Sequence, residues 1–598
     1  MQNAETVLGV LRERGKRGLP CDELYRQLFN PQLYLLAYGR IYANQGAMTP
    51  GVSQETADGM SMAKIDAIIE AMRRERYRFS PVRRILIPKK DGRLRPLGLP
   101  TWSDKLVGEV IRLLVEAYYE PQFSIHSHGY RPGRGCHTAL REVATYWTGT
   151  TWFIEGDISD CFGSLDHEVM ISILAERIHD NRFLRLITQM LQAGYLEDWT
   201  WGATLSGAPQ GGVVSPILSN IYLHKLDNYV ETVLIPRHTR GQHRVQNLEY
   251  KRVKNAMRAA RRRGDRATAR LLRQRMRRLP SKDPQDPGFR RLRYSRYADD
   301  HLLGFIGPKA EAEQIKDQLA TFLREELKLE LSPTKTLITH ARTRAARYLG
   351  YEIITQHGNS KITRDRCGGT RRSVNGAIRL RVPREVITAK CVPYLRAGKP
   401  GHRNDLVNCD DYEIVKVYGS RYRGIIQYYL LAHDVCRLDR LRWVMQTSML
   451  KTLAAKHHST VLKMAAKHQA KIVTPRGPRR CYEVRVPRDS GKPLVARFGG
   501  IPLIRQKDAV IVDRAPAQTV YPRRELITRL LKGRCELCHS ADPVQVHQIR
   551  KLADLDTSGP HPPAWTQFMA KRRRKTIVVC QTCHDLIHNG QRVTRLTA

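Results

Sequence analysis

Apolar side chains recur along this chain in two rhythms. Over residues 105–119, Leu106, Val110, Leu113, Leu114 and Ala117 keep the three-and-four spacing of an amphipathic helix. Ile315, Leu319, Phe322 and Leu323 repeat it over residues 310–327. Short apolar runs bounded by turn residues predict strands instead. Residues 85–87 and 94–99 flank Asp91-Gly92, a hairpin signature with basic side chains at its tip. Trp152-Phe153-Ile154 reads as a buried strand that runs into Glu155-Gly156-Asp157-Ile158. Leu292 and Tyr294 begin a strand that enters Tyr297-Ala298-Asp299-Asp300, and Leu302-Leu303-Gly304-Phe305-Ile306 leaves it. Two adjacent acids therefore fall at a hairpin turn. Residues 1–60 are mostly helical, apart from a polar, glycine-bearing stretch over 42–52. Residues 410–470 read as helices in which Tyr418, Arg421, Tyr422, Arg423, Tyr428 and Tyr429 interleave, and 471–530 as a Pro- and Arg-rich connecting module.

Charge narrows the class of protein. The 598 residues carry a net charge of +45, from 102 Lys and Arg against 57 Asp and Glu. Such an excess repels itself unless a polyanion supplies counter-charge, so nucleic acid is the first candidate partner and an anionic membrane surface the second. Residues 251–278 are extremely Arg-rich and nearly free of acids, yet retain Ala256, Ala260, Ala267, Leu271 and Leu272. They predict a basic helical insertion that contacts phosphates, in preference to a merely solvated face. No apolar run is long enough to span a bilayer, and residues 1–11 lack the basic n-region of a signal peptide. Of 12 cysteines, only the last four are paired as C-x-x-C, which points to a reducing compartment and a metal site.

Adjacent carboxylates at a tight turn repel each other and are tolerated when a cation such as magnesium neutralises them; a solvated Asp-Asp turn is the alternative. A nucleotide-polymerising centre needs acids from different strands to hold two metals. Asp299 and Asp300 supply one side, and Asp157, at the end of a buried strand and shortly before Phe162, supplies the other. Three more blocks follow: Gly207-Ala208-Pro209-Gln210-Gly211-Gly212, running on to Leu223; Leu331-Ser332-Pro333-Thr334-Lys335-Thr336; and Tyr348-Leu349-Gly350-Tyr351.

These blocks, in this order, resemble a reverse transcriptase of the mobile group II intron type. The resemblance implies that Asp157 and Asp299 bind magnesium directly, with Asp300 beside them and the Ile158 carbonyl completing one shell. Phe162 resembles a steric gate against a 2′-hydroxyl. Gln210 and Gly211 should line the nucleotide pocket, where glycine permits close backbone approach. Lys89 and Arg95, on the basic hairpin, would grip the triphosphate. Lys335 resembles a lysine placed near the pyrophosphate, a candidate general acid, with a solvated lysine as the alternative.

At the carboxy terminus, Cys535, Cys538, Cys580 and Cys583 have zinc-ribbon spacing and suit a closed structural Zn2+ site. His584 and His588 stand four apart on one face of a predicted helix, with His547 upstream. This set resembles an HNH (ββα-metal) endonuclease domain, in which His547, His584 and His588 would hold a catalytic divalent metal. The sequence departs from that pattern. Gln548 stands where a second histidine would act as base, and Lys575 near the place of the central Asn. Glutamine cannot abstract a proton at neutral pH. Either cleavage is impaired, or His547 is the base and the metal uses His584, His588 and a carboxylate or water.

The resemblance implies a multidomain α+β chain. A 1–60 extension would precede right-hand polymerase fingers and an antiparallel palm sheet over 61–370, interrupted by the basic insertion at about 233–292. A helical thumb or maturase "X" domain would follow at 375–475, a DNA-binding segment at 476–530 and the zinc-bearing HNH domain at 531–598. The implied activity is RNA-directed DNA synthesis, with help in splicing of the intron RNA and nicking of target DNA. Its partners would be intron RNA, target DNA and dNTPs, with no membrane, in a bacterial cytoplasm and nucleoid-associated as a ribonucleoprotein. The alternative keeps polymerase and maturase but makes the HNH module structural only. A domesticated splicing factor would be expected to lose palm acids. A stand-alone reverse transcriptase would lack the Cys/His module, and a plain homing endonuclease would not need the palm.

Overall fold

The computed structural model describes residues 3–44, 46–88, 92, 94–197, 200–202, 212–358, 361–364, 368, 370–475, 477–487, 493–511, 524–555 and 562–590. At its centre lies a four-stranded antiparallel sheet, ordered Arg291–Tyr297, Asp300–Ile306, Trp152–Gly156, Leu337–His340. Alternating side chains in a strand point to opposite faces, and here each face has its own core. Ile154, Leu303, Phe305, Leu292 and Tyr294 pack into one core with the helices Trp102–Tyr119, Ser215–Tyr229 and Lys309–Leu327. Phe153 and Leu302 face the other, built largely from the helices Asp411–Tyr428 and Asp439–Lys456.

Local chemistry starts and stops these helices where the periodicity placed them. Thr101 caps Trp102–Tyr119 by accepting the Asp104 N–H at 3.2 Å. Lys309–Leu327 ends on Lys328 in the left-handed conformation, φ 48°. The Arg-rich insertion forms two helices, Leu248–Arg262 and Arg266–Arg278, the second capped by Asp265. Met257, Ala260 and Ala269 give the pair a small core of its own.

The basic hairpin forms as Val82–Pro88 and Leu94–Leu99, with Ile87 opposite Arg95. Its tip residues Lys89, Lys90 and Asp91 lie outside the described residues.

In the second core the interleaved aromatics resolve by side of helix. Tyr418 and Tyr422, one turn apart, are fully buried, while Arg421 and Arg423 are exposed. The Tyr418 hydroxyl lies 2.7 Å from Ser448 Oγ and 3.2 Å from Thr452 Oγ1. These two tyrosines are core residues, and their rings are not open for stacking on RNA. The sheet Gln469–Thr474, Gly477–Val486, Leu494–Gly499 packs on the same helix and adds Ala496 and Phe498 to the second core.

At the carboxy terminus, Val544–Gln548 pairs antiparallel with Thr576–Cys580, and the helix Gln581–His588 follows directly. A third strand comes from the other end of the chain: Met60–Ser61 pairs with Val544–Gln548, Met60 opposite Val546. The helix Arg524–Leu531 places Leu526 and Leu530 in the first core, beside residues of the helix Pro31–Ile41.

Candidate functional site

Sheet register brings the acids together. Gly156 pairs with His301 and Tyr297 with Asp300, so Asp157 emerges beside the Ala298-Asp299 turn. Ala298 holds that turn at φ 56°. Gly156 is required by packing: a Cβ there would stand 2.0 Å from His301 Nε2. Burial, with the charges of Asp299 and Asp157, pushes the Asp300 carboxyl up to about 7. Burial also raises Asp299, partly offset by the positive charges of Lys335 and Arg95. Three carboxyls crowded enough to hold a proton near neutrality are a donor set that fits divalent magnesium.

The remaining palm candidates cluster around this centre. Ile158 bridges to Leu331, and the Ser332 N–H donates to the Asp157 carbonyl at 2.8 Å. That tie brings Lys335 Nζ to 2.6 Å from Asp157 Oδ2. The bond raises the Lys335 pKa, so the ammonium holds its proton more firmly. Phe162 packs edge-on against Tyr130, centroids 6.4 Å apart, and Tyr130 in turn meets Tyr297 at 6.3 Å. Gln210 and Gly211, like Lys89, lie outside the described residues.

Sequence reasoning missed the support behind the hairpin. Arg296 and Asp227 form a fully buried ion pair, with Arg296 Nε and Nη2 donating to the two carboxylate oxygens at 2.7 and 2.6 Å. Arg296 Nη1 also donates to the Ala298 carbonyl at 2.9 Å, so the pair holds the acidic turn itself. Tyr294 donates its hydroxyl proton to Asp227 at 2.8 Å. The available signal was strand alternation, which places Tyr294 and Arg296 on the same face. Asp227→Ala would strand a buried guanidinium. It is expected to cost about 3–5 kcal/mol, read as a lowered denaturant midpoint; an unchanged midpoint would remove this account.

Beside the sheet, the helical insertion walls a basic cavity of about 830 Å³ whose lining includes Arg244, Arg261, Arg273, Arg277, Lys282 and Arg342. Arg372 ties the wall in place by donating to the carbonyls of Arg277 and Leu279, both at 2.7 Å.

Two further clusters lie in the carboxy-terminal module. The sulfurs of Cys535, Cys538, Cys580 and Cys583 all fall within 4.8 Å of one another, with Cys538 and Cys580 at 3.7 Å. A tetrahedral zinc with 2.3 Å bonds to sulfur requires sulfurs about 3.8 Å apart, so the set fits. The second cluster comprises His547, His584 and His588, joined by Asp58, a residue the sequence did not single out. His547 is 5% exposed; its Nε2 has no hydrogen-bond partner, and its Nδ1 lies 3.2 Å from Asp58 Oδ1 without forming a well-aligned hydrogen bond. A buried imidazole with an unpaired nitrogen, gathered with two other imidazoles around one carboxylate, is costly unless it has a ligand, so this set also fits a divalent metal. Gln548 is buried; its amide donates to the Tyr42 carbonyl at 2.7 Å. Lys575 Nζ reaches the Arg550 carbonyl at 3.0 Å.

Comparison with known proteins places these clusters in a common frame. Residues 87–259 match the reverse transcriptase (RNA-dependent DNA polymerase) family, 383–476 the type II intron maturase family, and 535–584 the AI2M/AI1M-like HNH endonuclease family. The group II intron-encoded protein LtrA of Lactococcus lactis subsp. cremoris is 36% identical over 94% of this chain and 95% of its own length. An uncharacterized 91 kDa protein in the cob intron of Schizosaccharomyces pombe is 33% identical over 98% of this chain and 73% of its own. A putative COX1/OXI3 intron 1 protein of Saccharomyces cerevisiae is 30% identical, over 94% and 68%. Among the described residues no helix is long and apolar enough to cross a membrane. The chain belongs to the group II intron-encoded proteins, joining a reverse transcriptase, an intron maturase and an HNH endonuclease in one polypeptide.

Proposed function

We propose that the central sheet is the palm of a right-hand polymerase and that Asp157, Asp299 and Asp300 form its catalytic centre. The observation that carries this is the convergence of the three carboxyls at one end of the sheet, with Asp300 pushed up to about 7 by burial and its acidic neighbours. Two magnesium ions held by these acids, with the Ile158 carbonyl, would activate the primer 3′-hydroxyl and stabilise the leaving pyrophosphate. The protein's own part is to hold the acids and shape the pocket. Arg296 and Asp227 fix the turn, and Phe162, braced by Tyr130, would close the sugar side of the nucleotide. Arg95, whose charge acts on Asp299 from the fingers hairpin, would with Lys89 bind the triphosphate, and Gln210 and Gly211 would line the base pair. Lys335, near the acids, would meet the pyrophosphate as its general acid once nucleotide displaces its bond to Asp157.

The helices around Tyr418 and Tyr422 would be the thumb and maturase region, spanning 375–475, with 476–530 contacting DNA. Intron RNA is the natural partner of the basic cavity under the insertion, since Arg side chains there can neutralise backbone phosphates.

In the carboxy-terminal HNH module the four cysteines would hold a structural zinc, and His547, His584 and His588 a catalytic divalent ion. Of the two roles open to His547, its burial favours metal ligand over general base, because a base must meet a water molecule. When bound, the ion would supply a water acidified for attack on the scissile phosphate. The intron RNA would insert into one DNA strand, this module would nick the other, and the freed 3′-hydroxyl would prime cDNA synthesis at the palm. A labelled target duplex, incubated with the intron ribonucleoprotein, tests this. Wild-type protein is expected to nick the second strand and His588→Ala to leave it at least about tenfold less cut. Equal cleavage by the two would make the module structural only.

A further inference from the structure

Asp58 stands 490 positions before Gln548, in the turn that leads into Met60–Ser61. Its placement beside the histidines is built, not incidental. Gly59, at φ 74°, redirects the chain, and its N–H donates to the Val546 carbonyl at 2.9 Å. Met60 and Ser61 then extend the sheet along the strand that carries His547. The Gln548 N–H donates to Asp58 Oδ1 at 2.7 Å, and the Gln548 amide holds Tyr42. Behind this contact Val544, Val546 and Val578 share the first core with Met60, Leu526 and Leu530. Gln548, which the sequence presented as a missing base, is thus a tether between the two ends of the chain.

The carboxylate meets all three imidazoles. Asp58 Oδ1 lies 3.2 Å from His547 Nδ1 and 3.3 Å from His584 Nε2, and Oδ2 lies 2.7 Å from His588 Nε2. Nitrogen and oxygen ligands at about 2.0–2.2 Å from one ion stand about 3 Å from each other, so these spacings suit a shared metal. His547 is buried, with no partner on Nε2 and only Asp58 beside Nδ1, and lies 5.4 and 5.2 Å, centroid to centroid, from the rings of His584 and His588.

We propose that Asp58 is the carboxylate ligand of the endonuclease metal, so that this site is complete only while the carboxy-terminal module is docked on the amino-terminal segment. The inference rests on the histidine site proposed above and adds its fourth ligand. Four protein ligands on a six-coordinate ion leave two positions for water and a phosphate oxygen. Nicking is then coupled to the conformation of the polymerase end of the chain, and an isolated module would bind its catalytic metal poorly.

Manganese added to the zinc-loaded, full-length protein tests this by electron paramagnetic resonance. Mn2+ on imidazole shows nitrogen couplings, whereas Mn2+ on the carboxylates of the palm shows none. Wild-type protein is expected to bind one nitrogen-coupled Mn2+. Asp58→Asn keeps an acceptor for the Gln548 N–H but removes the charge, and should weaken that ion at least about tenfold. Amide exchange of Val544–Gln548 verifies that the variant stays docked; if it does not, Asp58→Ser is scored in the same way. Loss with His588→Ala but wild-type affinity in a docked Asp58 variant would overturn the role of Asp58 and leave the histidine site standing. Absence of nitrogen-coupled Mn2+ in the wild type would overturn both.

Discussion

Asp299→Ala is expected to abolish primer extension on an RNA template, lowering the rate at least about 10³-fold, or roughly 4 kcal/mol of transition-state stabilisation. The expectation follows from where the residue sits. Asp299 occupies a two-residue turn held from behind by Arg296, and its carboxyl feels the charge of Asp157 on the neighbouring strand end. Stability should move little or rise, because the deletion relieves crowding among three acids whose burial and mutual repulsion already push Asp300 up to about 7. A variant that melts like the wild type but does not extend a primer therefore supports the assignment. Equal synthesis by the two proteins would sink it.

Removing zinc is expected to have the second largest effect, confined to the carboxy-terminal module. That module is too small to stand on apolar burial alone. Among its described residues the module's own core comprises Cys535, Leu537, Met569, Ile577, Val579, Cys580, Cys583 and Ile587, so three of the eight belong to the four-cysteine cluster. Structural zinc in comparably small domains contributes on the order of 10 kcal/mol of folding energy. Cys583→Ser, or strong chelation, should open residues 531–590 to protease and abolish nicking. The central sheet draws its stability from the two larger cores, so primer extension should persist. An unchanged proteolytic pattern in Cys583→Ser would mean that the cysteines do not hold the module together.

The parts of this protein readable from sequence are those whose chemistry is local. A hairpin turn, a helical period and a C-x-x-C pair each lie within a few residues, and backbone geometry turns spacing into position. So the strand that runs into Asp157, the turn at Asp299, the helices of the Arg-rich insertion and the facing of His584 and His588 appear where spacing puts them. Orientation was harder. Tyr418 and Tyr422 could have faced RNA or the core, because an Arg–Tyr alternation suits both until a second helix packs on one side.

The least legible features join residues far apart in the chain. Asp227 is an ordinary acid on a helix until Arg296 is buried against it. Asp58 is a turn residue until a strand from the opposite end pairs alongside it. Gln548 looks like a lost base when its neighbours are only Val546 and His547; in the fold its partners are Tyr42 and Asp58. The amino-acid sequence by itself determined the polymerase blocks, the thiolate pairs and the polyanionic partner, because each follows from residue type and short-range spacing. Only the tertiary structure decided which buried charges pair and which carboxylate meets the histidines, because those depend on sheet register and domain docking between segments that share no local signal.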